Sequence, residues 1–314
     1  MRLFSFAGGT NQAGNREPRV GILLDDGERL LHLCAAADAE GARPPAPSDP
    51  MAWFDLDGVW WPQALALYES LGRGGAKLKR AEERGLLVAR RDVRLLAPVP
   101  RPGKLICIGL NYRDHAAESN MAIPESPVVF SKFTTAVTGP NEPVMLPAAS
   151  AKVDYEAELA FVIGRRAKNV TRERAMDHVL GYTMVNDVSA RDLQFADGQW
   201  QRGKSCDTFA PMGECIVTTD EIPDPHRLRI KLRLNGHTMQ DSSTDQLIFG
   251  IPELVAFLSE TITLEPGDVI ATGTPPGVGF ARKPPVFLKD GDVMEVEVEG
   301  LGVLTNPVVA AARQ

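Results

Sequence analysis

Disulfides, membrane spans and surplus positive charge are all missing from this chain. Its four cysteines, Cys34, Cys107, Cys206 and Cys215, are scattered and form no C-x-x-C pair. Such usage excludes a disulfide framework and suits reduced thiols. No apolar run approaches the roughly 20 residues needed to cross a bilayer, and Met1 to Gly9 lacks the long apolar stretch of a signal peptide. A soluble, cytoplasmic protein is therefore expected. Lys and Arg number 34 against 41 Asp and Glu, a net charge of -7. That balance argues against nucleic acid or an anionic membrane surface as the main partner and leaves a small molecule. Internal repeats of the solenoid or propeller kind are absent as well.

The 314 residues suffice for a large domain and a small one. Val20 to Leu24, a turn at Asp25-Asp26-Gly27 and Arg29 to Leu33 read as a hairpin, and Gln63 to Gly72 has helical spacing. Trp53, Trp60 and Trp61 suit packing rather than a ligand box. The run Ala97-Pro98-Val99-Pro100-Arg101-Pro102-Gly103 is a linker signal. It divides a small N-terminal domain, residues 1–96, from a strand-rich α+β domain, residues 97–314.

The second domain is organised around Val153 to Gly164, where Glu156 and Glu158 open an otherwise apolar run. In a continuous strand both carboxylates point the same way. Two like charges that close repel unless a cation sits between them. The same alternation also describes a solvated face, as in Glu295, Glu297 and Glu299. Further on, Thr171 can cap a helix with Ala175, Met176, Val179 and Leu180 on one face and Gly181 at its end. Tyr182 to Val188 then returns as a strand carrying Asn186 and Asp187. Asp187, Arg191 and Gln194 are spaced to share one helical face. Asn235-Gly236 marks a hairpin turn, and Pro252 to Leu258 a helix.

Glu156, Glu158 and Asp187 make an all-oxygen set with no histidine nearby, which suits Mg²⁺ or Mn²⁺ rather than zinc. Such an ion could bind a 2-oxo acid, polarise its carbonyl and stabilise an enolate. His115 and Glu118, three residues apart, suit a general base with a carboxylate fixing its tautomer. Lys204 suits an oxyanion partner. Surface histidines, solvated lysines and an Arg191 paired with Asp187 or Asp192 give the same residues without chemistry.

Several motifs taken together resemble the fumarylacetoacetate hydrolase superfamily over about residues 97–310. They are Gly109-Leu110-Asn111-Tyr112-Arg113-Asp114-His115-Ala116-Ala117-Glu118, Tyr155-Glu156-Ala157-Glu158-Leu159, Asn186 to Gln194, Gly203-Lys204-Ser205 and Thr272 to Gly279. The resemblance implies a mixed β-roll catalytic domain, an enzyme, a homodimer, and Mg²⁺ or Mn²⁺ on Glu156, Glu158 and Asp187. It implies a water-activating pair in His115 and Glu118, an oxyanion lysine in Lys204, and substrate contacts from Arg191, Gln194 and Thr274. The founding enzyme of the family carries a further acidic ligand upstream of its histidine, whereas Leu105 to Tyr112 holds no carboxylate. That departure favours the branch acting on acylpyruvates. The expected activity is hydrolysis of a C–C bond in a 2,4-dioxo acid. Oxaloacetate decarboxylation or keto–enol tautomerisation is the alternative through the same enolate, and a metal- or ligand-binding protein without turnover is the alternative from another class.

Overall fold

The computed structural model describes residues 1–10, 16–71, 76–118 and 120–310. Its largest feature is a ten-stranded sheet. In spatial order the strands are Leu87–Ala89, Arg29–His32, Arg16–Leu23, Arg2–Thr10, Ile216–Thr218, Val179–Asn186, Ala157–Ile163, Val269–Ala271, Leu105–Gly109 and Val128–Lys132. N-terminal strands thus join C-terminal ones, through the antiparallel register Arg2 to Val217 and Leu3 to Ile216. Neighbours are antiparallel except that Val269–Ala271 runs parallel to Leu105–Gly109. A second sheet orders His237–Ser243, Arg229–Leu234, Val293–Val298, Gly302–Ala310 and Val144–Leu146, and its last pair is parallel. With helices in addition, this is the mixed α+β architecture expected.

Every residue of Ala157–Ile163 and of Val179–Asn186 is buried. Strands covered on both faces read as near-continuous apolar runs, as these do. The second sheet keeps strict alternation: Ile230, Leu232 and Leu234 face inward while Arg229, Lys231 and Arg233 face out. Arg233 pairs with both Glu295 and Glu297, so that acidic row is a partly solvated ion-pair face. Asn235-Gly236 makes the hairpin turn between Arg229–Leu234 and His237–Ser243. Trp53 is buried, its ring 5.3 Å from that of Trp60. Helix Trp60–Leu71 matches the expected helical segment, whose last residue, Gly72, lies outside the described residues.

Three local expectations change. The helix sought from Thr171 to Leu180 is only a 3-10 turn, Arg172–His178, and Val179 and Leu180 instead begin the strand paired with Ala157–Ile163. Cross-strand pairing of an apolar, β-branched run outweighs its helical spacing. The acidic run is not one strand. Val153–Asp154 pairs with Ser189–Ala190, Ala157–Ile163 joins the large sheet, and Tyr155 and Glu156 bridge the break. Asp187, Arg191 and Gln194 do not share a helix either, because the Asp187 N–H donates to the Glu156 carbonyl at 2.8 Å and holds that segment extended. The helix there is Arg191–Gln194 alone.

Candidate active site

The break in the acidic run places Glu156 beside the end of the neighbouring strand, and a buried cluster forms there. Ligand oxygens of Glu156, Glu158 and Asp187 lie within 4.8 Å of one another, and all three residues are buried. Lys204 closes the cluster, its Nζ 2.8 Å from Glu156 Oε2 and 2.8 Å from Asp187 Oδ2. Arg191 Nη1 lies 2.6 Å from Glu156 Oε1 and donates to Gln194 Oε1 at 3.0 Å. The structure therefore brings together six of the residues singled out in the sequence.

Charge is unevenly matched in this pocket. Burial opposes ionisation of Glu156, but Lys204 and Arg191 outweigh it and hold the carboxyl below its ordinary value. Glu158 goes the other way: burial, then Asp187 and Glu156, push its carboxyl well above the usual range. Among the described residues no cationic side chain lies within ion-pair distance of Glu158. Oε2 instead accepts the Gly273 N–H at 2.8 Å. Gly273 is required there, since its φ is +100° and a Cβ would come 2.8 Å from the Cβ of Asn111. Asn111 in turn donates to the Thr272 carbonyl at 2.8 Å, fixing the loop that presents that amide. A buried carboxylate short of positive charge, inside a set of hard oxygen donors, fits a divalent ion.

His115 and Glu118 lie on the short helix Arg113–Glu118, with Nδ1 3.4 Å from Glu118 Oε2. Both Glu118 oxygens accept the Gly277 N–H, at 3.2 and 3.1 Å, tying this helix to the Thr272–Gly279 loop. The Thr274 hydroxyl donates to the Ala157 carbonyl at 3.0 Å and accepts from Gln240 at 2.8 Å. It is thus already engaged with the backbone of the Glu158 strand.

Residues not singled out in the sequence complete the cluster. Lys132 donates to Asp187 Oδ1 and, at 2.9 Å, to the Val188 carbonyl. The Phe130 ring, two residues earlier, lies 5.0 Å from Lys204 Nζ. Asp154 is wholly buried and contacts Arg191. The available signal is a lysine closing the mostly apolar strand Val128–Lys132. Asp154 gave none, because its partners come from loops distant in sequence.

A family model of the fumarylacetoacetate hydrolase C-terminal region matches residues 104–309. The chain belongs to the fumarylacetoacetate hydrolase family. It is 44% identical over 315 residues to a mitochondrial oxaloacetate tautomerase of Xenopus laevis, covering 98% of this chain and 90% of the relative. Among solved structures it resembles a fumarylacetoacetate hydrolase from Exiguobacterium antarcticum, at 34% identity and a TM-score of 0.77, over 99% of this chain and 100% of the other. A 5-carboxymethyl-2-hydroxymuconate delta-isomerase from Mycobacterium smegmatis matches at 37% identity and a TM-score of 0.72, with the same coverage. The mitochondrial relatives overturn the cytoplasmic placement read from the sequence. Reduced thiols and the lack of an apolar span describe any reducing aqueous compartment and do not select the cytoplasm.

Proposed function

We propose that this family member catalyses keto–enol interconversion of oxaloacetate or a closely related 2-oxo diacid, with a divalent metal ion held by Glu156, Glu158 and Asp187. The observation that carries this reading is the buried three-carboxylate cluster with Lys204 across it, in a chain 44% identical over nearly its whole length to an oxaloacetate tautomerase. Mg²⁺ or Mn²⁺ at these oxygens would supply positive charge that polarises a keto oxygen and favours the enolate.

The protein's own groups supply the rest. Lys204 and Arg191 are buried cations beside the place where enolate charge develops, and a donor in a water-poor site is worth far more than one in water. Gln194, hydrogen-bonded to Arg191, orients that guanidinium, and Thr274 holds the loop backbone against the Glu158 strand. Glu118 accepts from Nδ1–H of His115, which leaves Nε2 as the basic nitrogen. That nitrogen removes the proton at C3 and returns it to oxygen, and tautomerisation needs no water nucleophile.

One observation favours a second reading. The same His115–Glu118 pair suits activation of water, and the resemblance to a fumarylacetoacetate hydrolase supports C–C hydrolysis of a 2,4-dioxo acid. A homodimer belongs to the proposal, supported by exposed Val128 and Val129 on the outer strand of the large sheet and Phe133 just past its end. Sedimentation equilibrium tests it.

The deciding experiment follows enolic oxaloacetate in D2O with Mg²⁺ or Mn²⁺, with product identification, beside a panel of acylpyruvates. Faster enol decay with deuterium at C3 and no extra pyruvate is the expected result. Enzyme-dependent release of pyruvate and CO2 would identify a decarboxylase, and acylpyruvate cleavage a hydrolase. A chain that turns over none of them is a binding protein.

A further inference from the structure

Asp154 stands two residues ahead of Glu156 and has no solvent exposure. Its carboxylate gathers donors from three separate stretches of chain. Oδ1 accepts the N–H of Tyr155 at 2.8 Å and of Gly279 at 2.7 Å. Oδ2 accepts the N–H of Phe280 at 3.0 Å and Nε of Arg191 at 2.9 Å. Gly279 can approach because it lacks a Cβ, which would lie 2.5 Å from Oδ1. The Phe280 ring then covers the guanidinium of Arg191, at 4.4 Å from its carbon to the ring centroid.

Arg191 is thereby held at Nη1, at Nε and on one face. Nη1 is engaged by Glu156 and Gln194, Nε by Asp154, and one face by Phe280. Nη2 lies 2.8 Å from Asp154 Oδ2 but makes no well-directed hydrogen bond, so the buried guanidinium keeps a donor to offer. A guanidinium loses little further freedom on binding when its plane is already set, which is the general benefit of preorganisation.

We propose that Asp154 is the positioning residue that locks Arg191 and the Gly279–Phe280 rim into one unit, so that the Nη2 edge, which lacks a directed hydrogen bond, is turned to a carboxylate of the bound oxo acid. The proposal deepens the functional reading above, since it rests on Arg191 holding the ligand. Asp154 touches neither ligand nor metal in this role. It acts through Arg191.

The test is calorimetric titration of Mn²⁺-supplied protein with oxalate, a planar mimic of an enolised oxo acid, alongside Mn²⁺ binding and thermal melting. Asp154→Asn keeps the shape but turns a donor toward Arg191 and Phe280. Its oxalate affinity should fall about tenfold or more, the cost of losing a hydrogen bond to a charged group, while Mn²⁺ affinity changes little. In an Arg191→Ala background the same substitution should add less than about twofold. Full additivity, an unchanged oxalate affinity, or an equal loss of Mn²⁺ affinity would each overturn the assignment, the last by showing that Asp154 acts through Glu156. Wild-type protein that takes up Mn²⁺ but no oxalate would sink the ligand reading itself and this role with it.

A measurement independent of the Asp154 variant's folding is amide exchange at Gly279 and Phe280. Arg191→Ala should speed exchange there by about tenfold, because the carboxylate loses its cation and the ring its partner. Unchanged protection would mean that the rim is held without Arg191, contrary to the proposal.

Discussion

Lys132 and Asp187 form an ion pair in which neither side chain has any solvent exposure. The lysine comes from the outer strand of the large sheet and the aspartate from the end of an inner one, so the pair ties the sheet's edge to the cluster. Removing one member of a buried pair leaves an uncompensated charge and typically costs about 3 kcal/mol or more. Lys132→Met should lose roughly that amount in urea denaturation. A loss below about 1 kcal/mol would mean that Lys204 alone satisfies Asp187.

Glu158 separates metal binding from simple ion pairing. Its hydrogen-bond partner is a backbone amide rather than a cation, so a divalent ion bound at the cluster would supply the missing charge and stabilise the folded state by mass action. The gain is about 2.7 kcal/mol at a hundredfold excess over Kd. Melting of wild-type protein should therefore rise with Mn²⁺ and fall back with chelator, and Glu158→Ala and Glu156→Ala should lose the response together with activity. Full activity of the wild type in chelator would remove the metal from the mechanism.

The pattern of legibility follows from this geometry. Glu156, Glu158 and Asp187 are readable because acidic residues at the ends of apolar runs, the first two opening one and the third closing another, are anomalous on the sequence itself. The path that joins them was not. Alternation assumes an unbroken strand, whereas the chain steps between two sheets at Tyr155–Glu156, and that step turns Glu156 toward Lys204 and Arg191. Helical spacing likewise suggested Asp187, Arg191 and Gln194 as one face, and a single backbone bond from Asp187 to Glu156 decided otherwise. Lys132 and Asp154 act through partners 55 and 125 residues away, separations that no local pattern encodes.

His226 provides a pH signature outside the site. Its Nε2 accepts the N–H of Ile251 at 3.0 Å, capping the helix Ile251–Thr261, which only a neutral ring can do. Burial lowers its pKa from the usual 6.5, and the opposing pull of Asp224 does not restore it. A folded-state value below the unfolded one means that the unfolded chain binds the proton first. The contribution is thus complete above the unfolded pKa and is lost as pH falls through the folded one. His226→Asn should flatten the decline in stability between about pH 7 and pH 5, followed by denaturation midpoints. An unchanged slope would assign that decline to other groups.

His115 distinguishes proton transfer from the other steps open to a common enolate. Interconverting keto and enol forms requires a base at C3 and directing water onto a carbonyl requires a base at the water, whereas loss of CO2 from a bound oxo acid requires neither. Replacing the imidazole by an amide, His115→Asn, keeps polarity but removes the basic ring that lies against Glu118. Deuterium incorporation at C3 of oxaloacetate should then fall by about 10² to 10⁴. Oxalate binding by the same Mn²⁺-supplied variant should fall far less. Scaling the exchange rate to the fraction of variant that binds oxalate cancels any common loss from misfolding or weaker binding. If exchange and oxalate binding decline in parallel, His115 holds the substrate or the Arg113–Glu118 helix rather than moving the proton, and the base must be sought in another residue.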